Sequence, residues 1–376
     1  MRFSAIYIFC FVFAVFGAIA GAGSVSGASH LEEPVSVEPW QEADALFKTD
    51  SRWLGGDDAY SVDLGKGRVL WLFADSFIAR DNSGLRRNAR LIRNSVAIQQ
   101  GYNPASASIK FYWNKENQNP QSFFADSATS WYWPGQGIKL GNRLLIFLMK
   151  VRQTGSGLGF ALVGWDALMV DNPDASPDRW KMRRLEVAEN PFKVIIGSAG
   201  VLQNGAYLYT LSAREAPDHK VYLIRWSLAQ AKRGQLSDPQ WWTGGLTGWV
   251  RQSRLKQEPE AVFSDGQTEF TVHFEPRLKK FLQIQTIGFG ASELALRLAD
   301  KLTGQWSALN KFYRPEETRR ADALIYAGKA HPELSGADLV LTYVVNSKDF
   351  GTLVNDQNLY YPKFLKCRIN GPANRM

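Results

Sequence analysis

The sequence predicts an all-β fold, a single five-bladed β-propeller with antiparallel blades of three to four strands. Three observations carry that expectation. One unit recurs five times: a strand, a tight Gly- or Asn-rich turn, and a strongly apolar second strand. The second strands are nearly continuous apolar runs, as expected for sheets covered on both faces. Helical patterning is scarce, with short helices expected only near 227–233 and 354–359.

The first unit pairs GGDDAYSVDL (55–64) with RVLWLFADSFI (68–78) across GKG. The second joins WYWPGQGIKL (131–140) to RLLIFLMKV (143–151) through Gly141-Asn142. In the third, VIIGSAGVLQ (194–203) turns at Asn204-Gly205 into AYLYTLSAR (206–214), and Asn-Gly between apolar runs is a strong hairpin signal. TEFTVHFEP (268–276) with FLQIQTIGFG (281–290) makes the fourth, and LIYAGKAHPEL (324–334) with LVLTYVVNS (339–347) the fifth. A third strand-like run follows most hairpins, as in NSVAI (94–98), VYLIRWSL (221–228) and SELALRLA (292–299). Inner strands starting near Asp57, Trp131, Val194, Thr268 and Leu324 repeat every 56 to 74 residues. Radial repetition of such meanders is the propeller architecture.

Residues 1–28 read as a signal peptide. Met1 and Arg2 form a positive start, an uncharged apolar run extends from Phe3 to about Gly23, and Ser26-Gly27-Ala28 supplies small residues for cleavage. The mature domain is then 29–376, secreted or periplasmic, with no membrane span after cleavage. Cys10 falls in the removed segment and has no lipobox, so Cys367 alone remains; in LYYPKFLKCRI (359–369) it reads as a buried structural thiol. The net charge of +8 is spread along the chain. No Lys/Arg cluster interleaves with aromatics, which argues against a nucleic-acid partner. Thirteen Trp and thirteen Tyr suit both the packing of blades and the stacking walls of a carbohydrate cleft. A monomer is expected.

GGDDAYSVDLGKGRVLWLFADSF followed by NSVAI resembles the opening blade of five-bladed propeller families of the arabinanase and β-fructosidase superfamily, the domains of unknown function 4185 and 5005 among them. TEFTVHF…GFG…ELALRLADKLTGQWS (268–307) is similar to their fourth blade, and YAGKAHPEL…LTYVVNSKDF (326–350) to their fifth. The resemblance implies the fold strongly and the substrate weakly. Some members are glycoside hydrolases acting on furanose polymers, and many have no assigned activity.

Glycosidic cleavage requires two carboxyl groups flanking the bond. In a propeller the inner strands converge, so acids at their starts share one funnel. In blade one, with GKG as a three-residue turn and Leu64 facing Arg68, the register sets Asp57 opposite Asp75; a shift of one residue puts Asp58 there. Opposed like charges cost up to roughly 1 kcal/mol, unless a cation such as Arg93 sits between them or the pair has divided protonation roles. Glu269 opens the first strand of blade four, with His273 inward on the same face. The catalytic expectation is therefore Asp58, Asp75 and Glu269, with Asp126 in reserve. Asp57, Trp131, Trp133, His273, Lys329 and His331 are expected to contact substrate, and Trp131, Tyr132 and Trp133 to form a flat aromatic surface. The resemblance suggests that His331 supports a bound cation or water; it implies no required cofactor and allows a Ca2+ near the axis.

Blades two and three depart from the arabinanase pattern, since WYWPGQGI and IIGSAGVL carry no carboxylate. Two classes therefore stay open: an endo-arabinanase-like hydrolase of a furanose-containing polysaccharide, and a non-catalytic glycan-binding or structural propeller. GSGLG (155–159) lacks the strand-to-helix context of a phosphate loop. His30, His219, His273 and His331 lack metal-ligand spacing, and Ser61 and Ser76 lack recognisable His and Asp partners. Mass spectrometry of the exported protein is expected to find an N-terminus near Ser29; an intact Met1 in the membrane fraction would show an anchor instead.

Overall fold

A computed structural model describes residues 35–370, except 156–158, 190–191, 215–217 and 289. The expected signal peptide lies outside the described residues. The chain is all-β, with its described helices confined to short pieces such as Gln41–Asp44, Leu228–Arg233 and Phe350–Asn355. Five antiparallel meanders of at least four strands follow one another along the chain.

The first sheet comprises Tyr60–Gly65, Arg68–Phe73, Ser95–Gln100 and Ser108–Tyr112. The second runs through Ser130–Leu140, Arg143–Gln153, Phe160–Val170 and Met182–Arg184. Leu202–Asn204, Tyr207–Ala213 and Val221–Ser227 begin the third, which an added hairpin, Gln240–Trp242 and Trp249–Arg251, extends. The fourth holds Thr271–Glu275, Lys280–Ile287, Glu293–Ala299 and Asn310–Tyr313. Ala323–His331, Leu339–Ser347 and Lys363–Ile369 make the fifth, whose outer strand is the N-terminal Val35–Pro39, paired antiparallel to Lys363–Ile369.

Each sheet buries both faces because its apolar runs alternate between two neighbours. Leu70 and Leu72 pack with Leu144 and Ile146 of the second sheet, whereas Val69, Trp71 and Phe73 pack with Val340 and Phe364 of the fifth. Phe147 and Trp165 meet Tyr222 and Trp226 of the third sheet, and Leu211 and Leu223 meet Phe270 and Val272 of the fourth. Leu282 and Ile284 then meet Ile325 and Leu341 of the fifth. Burying a side chain of this size stabilises by roughly 1.5–3 kcal/mol, so the five interfaces hold the fold.

Four departures from the sequence expectation stand out. The first hairpin splits: Trp53–Gly56 pairs with Ser76–Ala79, and Ser76–Ala79 with Ala89–Ile92, in a separate small sheet. The break falls at Asp58 and Ala59, both in the left-handed region at φ 71° and 60°. Gly65, not Leu64, pairs with Arg68, and a bulge between Asp63 and Gly65 absorbs the difference. In the third sheet, Val194 forms an isolated bridge with Arg214, and the inner strand is short. There Gly197 (φ 75°) turns the chain so that its carbonyl accepts from Gln136 N at 3.1 Å. Finally, the last helix begins earlier than expected, because the Asp349 side chain caps it by accepting from Thr352 N at 2.6 Å.

A Cβ on Gly197 would fall 2.1 Å from the Phe147 ring, whereas one on Gly141 (φ 71°) meets nothing within 4 Å. Gly141→Ala is expected to cost about 1 kcal/mol for backbone conformation alone, and Gly197→Ala roughly 2–5 kcal/mol as overpacking is added. Melting curves of the two variants check this; equal losses would show that the close approach is unimportant.

Candidate active site

The expected opposition in the first hairpin is present. Asp57 N donates to Asp75 O at 3.2 Å and Ala74 N to Asp57 O at 3.1 Å, continuing the register that pairs Tyr60 with Leu72. The two carboxyl groups have different partners. Asp57 Oδ2 accepts from the hydroxyls of Tyr326 (2.7 Å) and Tyr360 (2.9 Å). Asp75 Oδ1 accepts from Trp133 Nε1 at 2.9 Å, and its Oδ2 lies 3.3 Å from Arg93 Nη1. The Arg93 guanidinium is stacked over Trp131 at 4.3 Å. Burial, followed by the charges of Asp75 and Glu269, pushes the Asp57 carboxyl well above the usual carboxylate range, against the two tyrosine hydrogen bonds. Asp57 therefore favours its neutral form, whereas Asp75 carries a cationic and a neutral donor, the partners of an ionised carboxylate.

Asp58 turns the other way. It is wholly buried, and its Oδ1 lies 2.6 Å from Lys329 Nζ, also wholly buried. Burial raises the Asp58 pKa and Lys329 opposes the rise. The same ammonium is 3.4 Å from Glu269 Oε2 and 4.3 Å from the Tyr60 ring centre. One cation therefore holds oxygens of Asp58 and Glu269 no more than about 6 Å apart. The Tyr60 hydroxyl donates to Ser198 O at 2.5 Å and approaches Phe270 O at 3.3 Å, tying the first sheet to the third and fourth. A bulge between Tyr326 and Lys329, with Ala327 at φ 56°, lets both side chains reach the acids from one strand. Consecutive non-glycine residues at positive φ in Asp58-Ala59 each cost of order 1–3 kcal/mol, strain that gathers at functional sites.

The other expected residues are placed as follows. Asp58, Lys329 and His331 expose no side-chain surface in this structure. His331 is a satisfied core histidine: its Nδ1 is 2.5 Å from Ser61 Oγ and its Nε2 is 2.8 Å from Thr342 Oγ1. Burial, then Lys329, pushes its pKa down to about 3, so it stays neutral. Ser61 thus has a histidine partner that its sequence spacing concealed. His273 Nε2 is 3.8 Å from Glu275 Oε2. The flat aromatic wall is absent: Trp131 is buried, Trp133 is inclined at 70° to it, and Tyr132 alternates to the opposite face, where its hydroxyl donates to Asp166 at 2.7 Å. Trp133 remains half-buried beside Asp75. Asp126 accepts from Ser122 Oγ at 2.9 Å; burial raises its pKa, and Arg93 and Asp75 lie within electrostatic reach.

The groups missed in sequence are Tyr326, Tyr360 and Tyr60. Tyr326 and Tyr360 are remote in sequence from Asp57, whose carboxyl group they reach; Tyr60 is close to the acids in sequence, but its hydroxyl partners, Ser198 O and Phe270 O, are remote. The residues do not suit a Ca2+ at the acids, since the Lys329 ammonium occupies the space between Asp58 and Glu269. Among the described residues no group of three or more His, Cys, Asp or Glu side chains is arranged to hold a metal ion.

A candidate hydrolase from Bacteroides ovatus superposes with a TM-score of 0.70 at 18% identity, covering 89% of this chain and 90% of that one. The catalytic domain of the Coprinopsis cinerea GH62 α-L-arabinofuranosidase gives 0.47 at 14% identity over 88% and 95% of the two chains. An α-L-arabinofuranosidase from Lactobacillus brevis gives 0.49 at 13% identity over 84% and 91%. No curated protein matches the sequence. Residues 41–369 match the family described as Domain of unknown function (DUF5005), and the chain belongs to that family.

Proposed function

We propose that the protein is an exported, five-bladed β-propeller with glycoside hydrolase activity on a furanose-containing polysaccharide. The cyclic order of the five packed interfaces, with the first sheet packed on the fifth, supports the closed propeller. The fold shared with the Bacteroides ovatus protein is consistent with it. The furanose specificity comes from the resemblance of blades one, four and five. Export rests on the apolar N-terminal segment; among the described residues no helix is long and apolar enough to cross a membrane.

One observation carries the catalytic reading: opposed carboxyl groups in unlike environments, beside a third that reaches solvent. Glu269 keeps 23% of its side chain exposed, the most among Asp57, Asp58, Asp75 and Glu269. In this assignment Asp57, held neutral, is the general acid that protonates the leaving glycosidic oxygen. Glu269, its charge balanced by Lys329, receives a proton from water, whose oxygen bonds to the anomeric carbon as the glycosidic bond breaks. Water is consumed and each new sugar end carries a hydroxyl. Asp75 keeps a negative charge beside Asp57 and so favours the proton there; Asp58 holds Lys329. Asp57 thus takes the catalytic role that the sequence expectation gave to Asp58. The near-complete burial of Asp57 (5%) and Asp75 (1%) favours the second reading, a glycan-binding or structural propeller without catalysis.

Purified protein is to be tested for sugar release from arabinans, fructans and galactans. Asp57→Asn and Glu269→Gln should each lower turnover 10²- to 10⁴-fold with the melting temperature held or raised. Because Asp57 must be protonated to act, wild-type activity should fall as pH rises through its elevated pKa. Full activity in Glu269→Gln, or no release from any polysaccharide in the panel, would reject the catalytic assignment. Lys329→Met should instead lower stability by roughly 3–5 kcal/mol, because Asp58 is left buried without its cation; a variant as stable as wild type would remove Lys329 from the centre of the site.

A further inference from the structure

Arg86 is a buried cation outside the acid cluster. It begins the 3-10 turn Arg86–Asn88 and is 1% exposed. Its donors go to four backbone carbonyls: Nε to Leu54 at 2.7 Å, Nη1 to Leu353 at 2.9 Å and to Asp356 at 2.8 Å, and Nη2 to Leu359. Two of these carbonyls lie at the C-terminal end of the helix Phe350–Asn355, where backbone acceptors lack partners within the helix. The guanidinium also lies 5.2 Å from the Tyr361 ring centre. Burying a charge is expensive unless its donors are met, and here backbone dipoles meet them.

The segments it joins converge on Asp57. Leu54 belongs to Trp53–Gly56, which leads directly into Asp57. Leu359 precedes Tyr360, whose backbone is at φ 64°, N donates to Val345 O at 2.8 Å, and O accepts from Gly56 N at 2.8 Å. The Tyr360 hydroxyl then donates to Asp57 Oδ2 at 2.9 Å. A Cβ at Gly55 (φ 117°) would stand 2.6 Å from Tyr360 O and 3.2 Å from Arg86 Nη2, so the two segments touch without slack. We propose that Arg86 is a positioning residue for Asp57: it clamps the segment entering Asp57 to the segment carrying Tyr360, and so holds that hydroxyl on the carboxyl group.

This assignment rests on the reading of Asp57 as the acid, but its test needs no substrate. A hydroxyl donating to Oδ2 favours the ionised carboxylate, so slackening the clamp should make Asp57 hold its proton to higher pH. The other groups facing Asp57 are the Tyr326 hydroxyl, Asp75 with Arg93, Glu269, and Asp58 with Lys329. None of them is bound by Arg86 through the contacts described above.

The experiment is a carbon-13 titration of the full mature protein labelled at aspartate, with the Asp57 signal assigned by its loss in Asp57→Asn. Tyr360→Phe should raise the Asp57 midpoint by roughly one pH unit. Arg86→Lys keeps a cation but loses the fork and should move the midpoint the same way; the double variant should go no further than Tyr360→Phe alone. An unchanged midpoint in Arg86→Lys, or shifts that add in full, would overturn the clamp even if the melting temperature falls. If Arg86→Lys does not fold, Arg86→Ala refolded with methylguanidinium takes its place. The wild-type midpoint in the rescued protein supports the clamp, and a displaced one overturns it. Sugar release can fail with the clamp intact, and the clamp can fail with sugar release intact, so the two assignments are tested separately.

Discussion

The Lys329 ammonium is the constraint on which the site depends. It has no exposed surface, and a buried ammonium is costly unless opposite charge and polarisable surface surround it. Asp58 from the first sheet, Glu269 from the loop entering the fourth, and the face of Tyr60 meet that need together. Three sheets are thus fixed around one point. The left-handed backbone at Asp58 and Ala59 follows from the same demand, since a regular strand there would alternate Asp57 and Asp58 to opposite faces without delivering one to each of two partners. The strain is offset by the ion pair it permits.

Given that anchor, the neighbouring carboxyl groups differ through their donors. Asp57 receives two neutral hydroxyls in a dry environment, and Asp75 receives an indole N–H and a guanidinium. Two identical side chains placed backbone to backbone therefore meet different donors, and burial raises the Asp57 pKa. The fifth sheet supplies much of this difference. Its bulge delivers Tyr326 and Lys329 to the acids, and the segment after its second strand delivers Tyr360.

The third sheet shows the converse. Where a regular inner strand was expected, the chain around Gly197 and Ser198 folds into turns that dock on the second sheet and accept the Tyr60 hydroxyl. That segment carries no carboxylate, and its backbone serves as a hydrogen-bonding wall. Among the described residues, Asp57, Asp58 and Asp75 lie beside the first sheet and Glu269 beside the fourth, with Asp126 before the second.

By itself the sequence determined the five hairpins, most third strands, the burial of both sheet faces and the opposition of Asp57 to Asp75. These are local matters: an apolar run, a two-residue turn and a period of two fix the register without reference to distant residues. Asp57, Asp75 and Glu269 were legible as candidate chemistry for that reason, since each stands at the end of a recognisable strand, whereas Lys329 lies within one. Tertiary structure alone decided which of them faces solvent, which is sealed in, and what each touches. Tyr326 and Tyr360 approach Asp57 from 269 and 303 residues away, and His331 finds Ser61 across two sheets, so spacing along the chain held no trace of those pairs. Bulges and left-handed residues aimed them. The energy for those distortions comes from burial between sheets, a quantity that exists only once the chain has folded.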